Sequence, residues 1–279
     1  MNREKLSLRI LVRGSNDVAS AVAHCLFGAR YGVVIHDDPK PTVTRRKMAF
    51  ADAIFDGETT LMGVAARRVE GVNLRGELIS QTFIPVVVGD FSRLVEKLRP
   101  QVLVDARMRK HKRPSRQFHL APLTIGLGPN FIAGMNVHIA VETARGEHLG
   151  QVIEEGKTLP LEGEPISLAG HARDRYVYAP LTGKFSTRFQ VGDQVTVGQV
   201  IATIHETPLT APISGVLRGI THDDVSVEQN TKVIEIDPRG ELAQISGIGE
   251  RPARIAEGVL TAIQRWEADA GVSAISEAK

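Results

Sequence analysis

The sequence predicts an α/β half, then an all-β half, then a C-terminal helix. Three observations carry this. A strand, a glycine turn, a helix and a second strand follow one another between Leu8 and Asp37. Ala179 to Ile236 repeats itself at an offset of 32 residues. Apolar residues from Ile255 to Trp266 recur at helical spacing. With 279 residues the chain is long enough for two sizeable cores.

Leu8-Arg9-Ile10-Leu11-Val12 reads as a buried strand, and Val18–Ala29 as a helix with Val18, Val22 and Leu26 on one face. Tyr31 to Ile35 is the second strand. Such a unit, closed within about 30 residues, predicts a parallel sheet. Pro39-Lys40-Pro41 breaks the chain, and Arg45 to Phe55 reads as a short helix. Thr60–Val69 and Gln81–Val88 hold β-rich runs, Phe91–Leu98 is amphipathic, and Val102 to Asp105 is another buried strand. Residues 1–155 are therefore expected to form a Rossmann-like α/β domain with an extension, in which Thr124–Pro129 and Val137–Thr143 either extend this half or bridge to the barrel.

The repeat defines residues 156–240. Ala179-Pro180-Leu181-Thr182-Gly183 returns as Ala211-Pro212-Ile213-Ser214-Gly215, Val195 as Val227, and Ile204 as Ile236. Two copies are too few for a solenoid and fit a pseudo-twofold sandwich or flattened barrel. The pattern resembles the biotinyl/lipoyl-like barrel-sandwich family. In carriers of that family a lysine sits on the hairpin between the halves. Here the hairpin, Ile204 to Thr210, has no lysine, so a swinging-arm carrier is not expected. Residues 241–279 form the C-terminal helical segment.

Composition narrows the function classes. The net charge of +2 argues against a dedicated nucleic-acid binder, and no aromatic platform accompanies the basic residues. One cysteine, Cys25, excludes an internal disulfide framework and suits a reducing cytosol. The charged start, Met1 to Leu6, lacks a signal-peptide core, and no apolar run approaches a membrane span. The expected location is the cytoplasm.

Gly14 precedes the first helix, where free backbone amides and the helix dipole favour an anion. Arg13 stands beside it, and Asp17 reads as the helix N-cap. Asp37 follows Gly14 by 23 positions, close to the distance at which an acid meets a ribose hydroxyl in dinucleotide folds. However, Asn16 and Ala19 occupy the places of the second and third fingerprint glycines. Basic residues follow three strands: Lys40, Arg45 and Arg46; then Arg107, Arg109, Lys110, Lys112, Arg113 and Arg116 after Asp105; then Arg145. Arginine suits bidentate contact with phosphate. Gly126 and Gly128 mark either a close-approach loop over a ligand or a tight turn. The nine histidines are scattered, and neither a catalytic centre nor a metal site is expected. Glu142 and His148 are weighed as acid and base, with a structural role the commoner one for each.

Taken in order, Val12 to Asp17, Lys40 to Arg46, Val104 to Met108, Ile125 to Gly134, Val141 to Gly150 and Asp237 to Gly240 resemble the YqeB-type accessory proteins of selenium-dependent molybdenum hydroxylase systems. That family usually has glycine where Asn16 and Asn130 stand, and Arg-Gly-His where this chain reads Arg145-Gly146-Glu147. The resemblance implies a maturation factor that handles the molybdenum cofactor or its cytidine dinucleotide form. It implies a molybdenum hydroxylase client. A homo-oligomer is left open.

The expectation is an accessory protein that binds a phosphate-bearing cofactor through Arg13, Gly14, Asp17, Asp37, Lys40, Arg45, Arg46, Asp105, Arg107, Gly126, Gly128 and Arg145. Two alternatives stand beside it. One is an NAD(P)-dependent oxidoreductase. The other is a protein-docking scaffold with a vestigial nucleotide site.

Overall fold

A computed structural model describes residues 8–70, 74, 76, 78, 81–109, 113–161 and 165–277, with side chains as far as residue 269. The first half is built on a nine-stranded mixed sheet. Its strands are β1 (Arg9–Arg13), β2 (Gly32–Asp37), β3 (Glu58–Leu61), β4 (Val64–Arg68), β5 (Ile84–Val88), β6 (Val102–Asp105), β7 (Leu123–Leu127), β9 (Ile139–Val141) and β10 (Val152–Ile153). The short β8 (Ile132–Ala133) pairs apart from it with β11 (Gly156–Lys157). The order is β10-β9-β7-β6-β1-β2-β5-β4-β3. From β5 through β9 every pairing is parallel, while the β3–β4 hairpin and β10 close the edges antiparallel. The central run β5-β2-β1-β6-β7-β9 reverses direction of growth beside β1, which makes a topological switch point.

Strand alternation sends side chains to two cores. On one face Ile10, Val12, Val33, Ile35, Val102 and Val104 pack under helix α1 (Asp17–Gly28). On the other, Leu11, Val34, Val87 and Leu103 meet Leu94 and Leu98 of an amphipathic helix. Between β2 and that helix lies α2 (Asp52–Asp56), preceded by a 3-10 turn at Arg46–Met48, in place of one helix from Arg45 to Phe55. The amphipathic helix is α3 (Phe91–Leu98), and the last is α4 (Glu250–Glu277).

Helix α4 does not stand alone. Ile255, Val259, Ala262 and Ile263 are buried in the α1 core, and the Tyr31 hydroxyl donates to Glu267 at 2.5 Å. A Cβ on Gly258 would lie 2.2 Å from the Gly150 carbonyl, so the helix meets the loop after β9 at backbone distance.

The second half holds β12 (Tyr176–Tyr178), β13 (Gly183–Thr187), β14 (Gln194–Val195), β15 (Val200–Ile204), β16 (Thr207–Thr210), β17 (Gly215–Ile220), β18 (Val225–Val227) and β19 (Lys232–Asp237). They form two four-stranded antiparallel sheets, β12-β19-β17-β14 and β16-β15-β13-β18. Moving 32 residues along the chain carries β13 onto β17, β14 onto β18 and β15 onto β19. The repeat thus exchanges the two sheets, and Phe185, Ile204, Leu217, Ile234 and Ile236 fill the space between them. The first sheet abuts the α/β half: the Ile220 amide donates to the Thr44 carbonyl at 2.9 Å. Among the described residues no helix is long and apolar enough to cross a membrane.

Candidate functional site

The N-terminus of α1 shows how the sequence arranges its surroundings. Gly14 has φ of +116°, and its amide donates to the His36 carbonyl at 2.7 Å. A Cβ there would come within 3.1 Å of the Ala106 carbonyl, so the turn after β1 lies directly against the chain leaving β6. The helix cap is Asn16. Its side-chain oxygen accepts from the amides of Val18 at 3.0 Å and Ala19 at 3.1 Å, and its amide group donates to Ala106 O at 2.8 Å. This corrects the assignment of Asp17 as cap. Asp17 instead turns to Arg45, whose guanidinium donates to it at 3.0 Å.

Arg45 leads to the centre of the site. Its Nε and Nη2 donate to the two oxygens of Glu235 at 3.2 and 3.0 Å, so one guanidinium bridges α1 of the first half and β19 of the second. Glu235 is fully buried, and it also accepts from Arg175 at 2.8 Å and Lys232 at 2.8 Å. Burial alone would raise its pKa. Lys232 and Arg45 overcome that and hold the carboxyl well below the usual range. Arg45 is likewise opposed by burial, yet Glu235 and Asp17 raise its pKa further.

Around this hub the cations outnumber the anions. Arg45, Arg145, Arg175, Arg218, Lys232, Arg239 and Arg251 make seven; Asp17, Glu142, Glu235, Asp237 and Glu250 make five, leaving a surplus of two. Arg239 pairs closely with Asp237 at 2.7 Å. The guanidinium of Arg145 has no hydrogen-bond or ion-pair partner among the described residues, although its residue is exposed. Arg251 donates only to the Thr143 carbonyl, at 2.9 Å. Burial and neighbouring positive charge lower the pKa of Arg145, Arg218 and Arg251, with Arg45 among the repelling groups in each case. Tyr176 lies beside the hub, with Arg175 and Lys232 over its ring at 4.4 and 4.6 Å.

No family model matches this sequence. It is 39% identical over 254 residues to the uncharacterized protein YqeB of Escherichia coli (strain K12), an alignment that spans 91% of this chain and 47% of YqeB. The chain is similar to YqeB. It covers about half of that protein's length. Solved structures with local likeness include a succinylglutamate desuccinylase/aspartoacylase from Rhodobacter sphaeroides (22% identical, 33% of this chain and 31% of that one, TM-score 0.22). Another is the product-bound ectoine utilization protein EutE (DoeB) from Ruegeria pomeroyi (13% identical, 73% of this chain and 57% of that one, TM-score 0.23). Scores this low bear on neither fold nor chemistry.

The residues expected to gather round one ligand fall into several places. Arg45, Arg145 and Asp17 converge at the hub. Arg13, Asp105 and Arg107 lie on the opposite face of the sheet, because Arg13 and Asp105 alternate with Val12 and Val104. There Arg13 stacks on Phe91 at 3.7 Å, and burial together with Arg107 lowers its pKa to about 10. Arg107 grips Asp105 through two bonds, at 2.9 and 2.6 Å, and Gln117 donates to the same carboxylate. Arg46 is turned away to Asp52 at 2.6 Å, and Lys40 to Asp224 on the second half. Asp37 spends one oxygen on the Ser15 hydroxyl at 2.6 Å and the other on the Asp38 amide.

Gly126 is packed by a ring: a Cβ would lie 2.2 Å from Phe131. Gly128, with φ of +111°, turns the chain beside Met108. Glu142 is a buried cap that accepts from the amides of Thr143, Ala144 and Leu159 at 2.7 Å each. Arg109, Arg113 and Arg116 are exposed, and Lys110 and Lys112 lie outside the described residues.

The hub residues Arg175, Arg218, Lys232, Glu235 and Arg251 are absent from the expected set. A signal for three of them stands in the repeat. Ser186, Val200 and Thr203 of the first copy correspond to Arg218, Lys232 and Glu235 of the second, so charge appears in one copy only.

Proposed function

We propose that this chain is an accessory protein for maturing a molybdenum hydroxylase and that it holds a phosphate-bearing cofactor at the junction of its two halves. The cargo is the molybdenum cofactor or its cytidine dinucleotide form. In this reading the first half is Rossmann-like, and the second is a biotinyl/lipoyl-like barrel-sandwich that walls the site instead of carrying a swinging arm. The single observation behind it is the cation surplus around Glu235, with Arg145 and Arg251 beside α1 and committed to no carboxylate within ion-pair distance. An anion about 4 Å from one such group gains about 4 kcal/mol near a protein surface, and the gain grows with each further cation. The residues fit phosphate groups, and nothing in the arrangement assigns them a chemical step. The nicotinamide alternative is the weaker one. Asp37 already has both oxygens bonded, and Asn16 closes the turn that a pyrophosphate would need open.

The test is a thermal-shift panel on the purified chain with inorganic phosphate, CTP, ATP, NAD and the molybdenum cofactor with and without its cytidine nucleotide. A ligand at about 100 times its Kd raises stability by about 2.7 kcal/mol. A rise with the cofactor or cytidine nucleotides, abolished in Arg145→Ala, supports the reading. A flat panel, or a rise that ignores Arg145→Ala, counts against it.

A further inference from the structure

The ends of the central strands hold a second place where polar groups lack partners. Arg13 closes β1, in register with His36 at the end of β2 and Asp105 at the end of β6. Residues in register on parallel strands point to one face, so all three stand on the α3 side of the sheet with Leu11, Val34 and Leu103. Phe91, the first residue of α3, carries the Arg13 guanidinium on its ring at 3.7 Å and stands 5.3 Å from the His36 ring. That guanidinium makes no hydrogen bond or ion pair among the described residues. Stacking occupies its face and leaves the N–H donors along its edge without an acceptor. Its pKa, lowered to about 10, still keeps it charged at neutral pH.

The neighbouring strand supplies the complementary deficit. Asp105 is filled by Arg107, which donates to both oxygens, and by Gln117, which donates to one of them at 2.8 Å. Gln117 is 1% exposed, and its Oε1 is buried with no hydrogen-bond partner among the described residues. The bond to Asp105 fixes which end of the amide is nitrogen, since an oxygen there would face a carboxylate. Its backbone is held too: the N–H donates to the Asn136 carbonyl at 2.8 Å, and the carbonyl accepts from Leu120 at 2.9 Å. A fixed, buried acceptor without a donor is costly, and a ligand's hydroxyl removes that cost. The boundary between β1 and β6 is also the switch point of the sheet, where ligands bind outside the strand ends in open α/β folds.

We infer that the ends of β1 and β6 form a second ligand site, for a small carboxylic acid bearing a hydroxyl group. Its carboxylate lies on the Arg13 fork and its hydroxyl donates to Gln117 Oε1. The site is on the opposite face of the sheet from the junction and does not depend on the reading above. The two oxygens of a carboxylate match the edge of a guanidinium. A phosphate dianion would bring a second negative charge beside Asp105, in the adjoining register position.

The experiment is a nuclear magnetic resonance titration of the full chain with glycerate and with propanoate, the same three-carbon acid with and without hydroxyls. It follows the Nε–H signal of Arg13 and the side-chain amide signals of Gln117. Glycerate is expected to shift both and to bind about 10-fold or more tighter than propanoate, which leaves Oε1 unpaired. Gln117→Met, read on Arg13, brings the two affinities to within a few-fold. Arg13→Ala, read on Gln117, abolishes the binding of both acids. Circular dichroism checks that each variant is folded. If Gln117→Met is not, the two acids on the wild type make the same comparison by deleting the hydroxyls from the ligand. Equal affinities in the wild type, unmoved Arg13 and Gln117 signals, or glycerate binding untouched in Arg13→Ala would overturn the inference. Displacement of glycerate by inorganic phosphate at lower concentration than by propanoate would overturn the ligand class.

Discussion

Asn16 makes three hydrogen bonds at the start of α1, and each belongs to a different part of the local design. Two satisfy helix amides that would otherwise lack acceptors, and the third ties the turn to the chain after β6. Asn16→Ala should cost about 0.5–2 kcal/mol, read as a lower urea midpoint with an unchanged slope. From the sequence Asp17 reads as the cap, although asparagine and aspartate both cap helices. Tertiary structure decides between them, because Arg45 draws Asp17 aside, and no local pattern announces that partner. Glu235 illustrates the same limit. A carboxylate between Ile234 and Ile236 is visible in the sequence, but of its three donor residues only Lys232 shares its strand, and Arg45 and Arg175 come from separate segments. Its depressed pKa has a definite sign. The stabilisation is complete above the unfolded-state value of about 4.3 and is lost as pH falls below it. Wild type should therefore lose stability steeply under acid, and Glu235→Gln should start less stable at pH 7 and show a shallower acid slope. Equal slopes in the two proteins would count against Glu235 as a source of the acid sensitivity. Removing one member of a buried ionic set typically costs about 3–5 kcal/mol.

Helices and strands were legible where periodicity was strong. The β1–α1–β2 unit, α3 and the apolar stripe of α4 all stand where their patterns predict. Short elements such as the 3-10 turn at Arg46–Met48 were not, since three residues carry no period. Helix contact at backbone distance was also hidden, and it gives a paired prediction. Gly258 and Gly28 both lie in helices, where glycine is about 1 kcal/mol worse than alanine. Gly28 has open space where a Cβ would go, so Gly28→Ala should be neutral or stabilising by about 0.4–1 kcal/mol. Gly258 faces the Gly150 carbonyl, so Gly258→Ala should lower the melting temperature despite its better propensity. Differential scanning calorimetry of the two variants decides the matter, and similar shifts would contradict the packing.

At the scale of the molecule the repeat of 32 residues was legible, and it maps strand onto strand in the second half. The way the halves join was not, because it depends on which copy of the repeat faces the α/β sheet. Arg45 joins Asp17 to Glu235 across that junction, and the Ile220 amide reaches Thr44 beside it. Near-ultraviolet and far-ultraviolet signals should accordingly report one coincident unfolding transition in the wild type. In Arg45→Ala they should separate into two. The closing consequence concerns synthesis. Tyr31 and Glu267 are bonded across a separation of 236 residues, and α4 covers the apolar face of α1. On a ribosome Tyr31 must wait for Glu267, 236 residues later, before the core shared by α1 and α4 is sealed. Until then the part of the shared core that Ile255, Val259, Ala262 and Ile263 fill stays open, a window in which chaperones, and not its own later residues, guard the nascent half from aggregation.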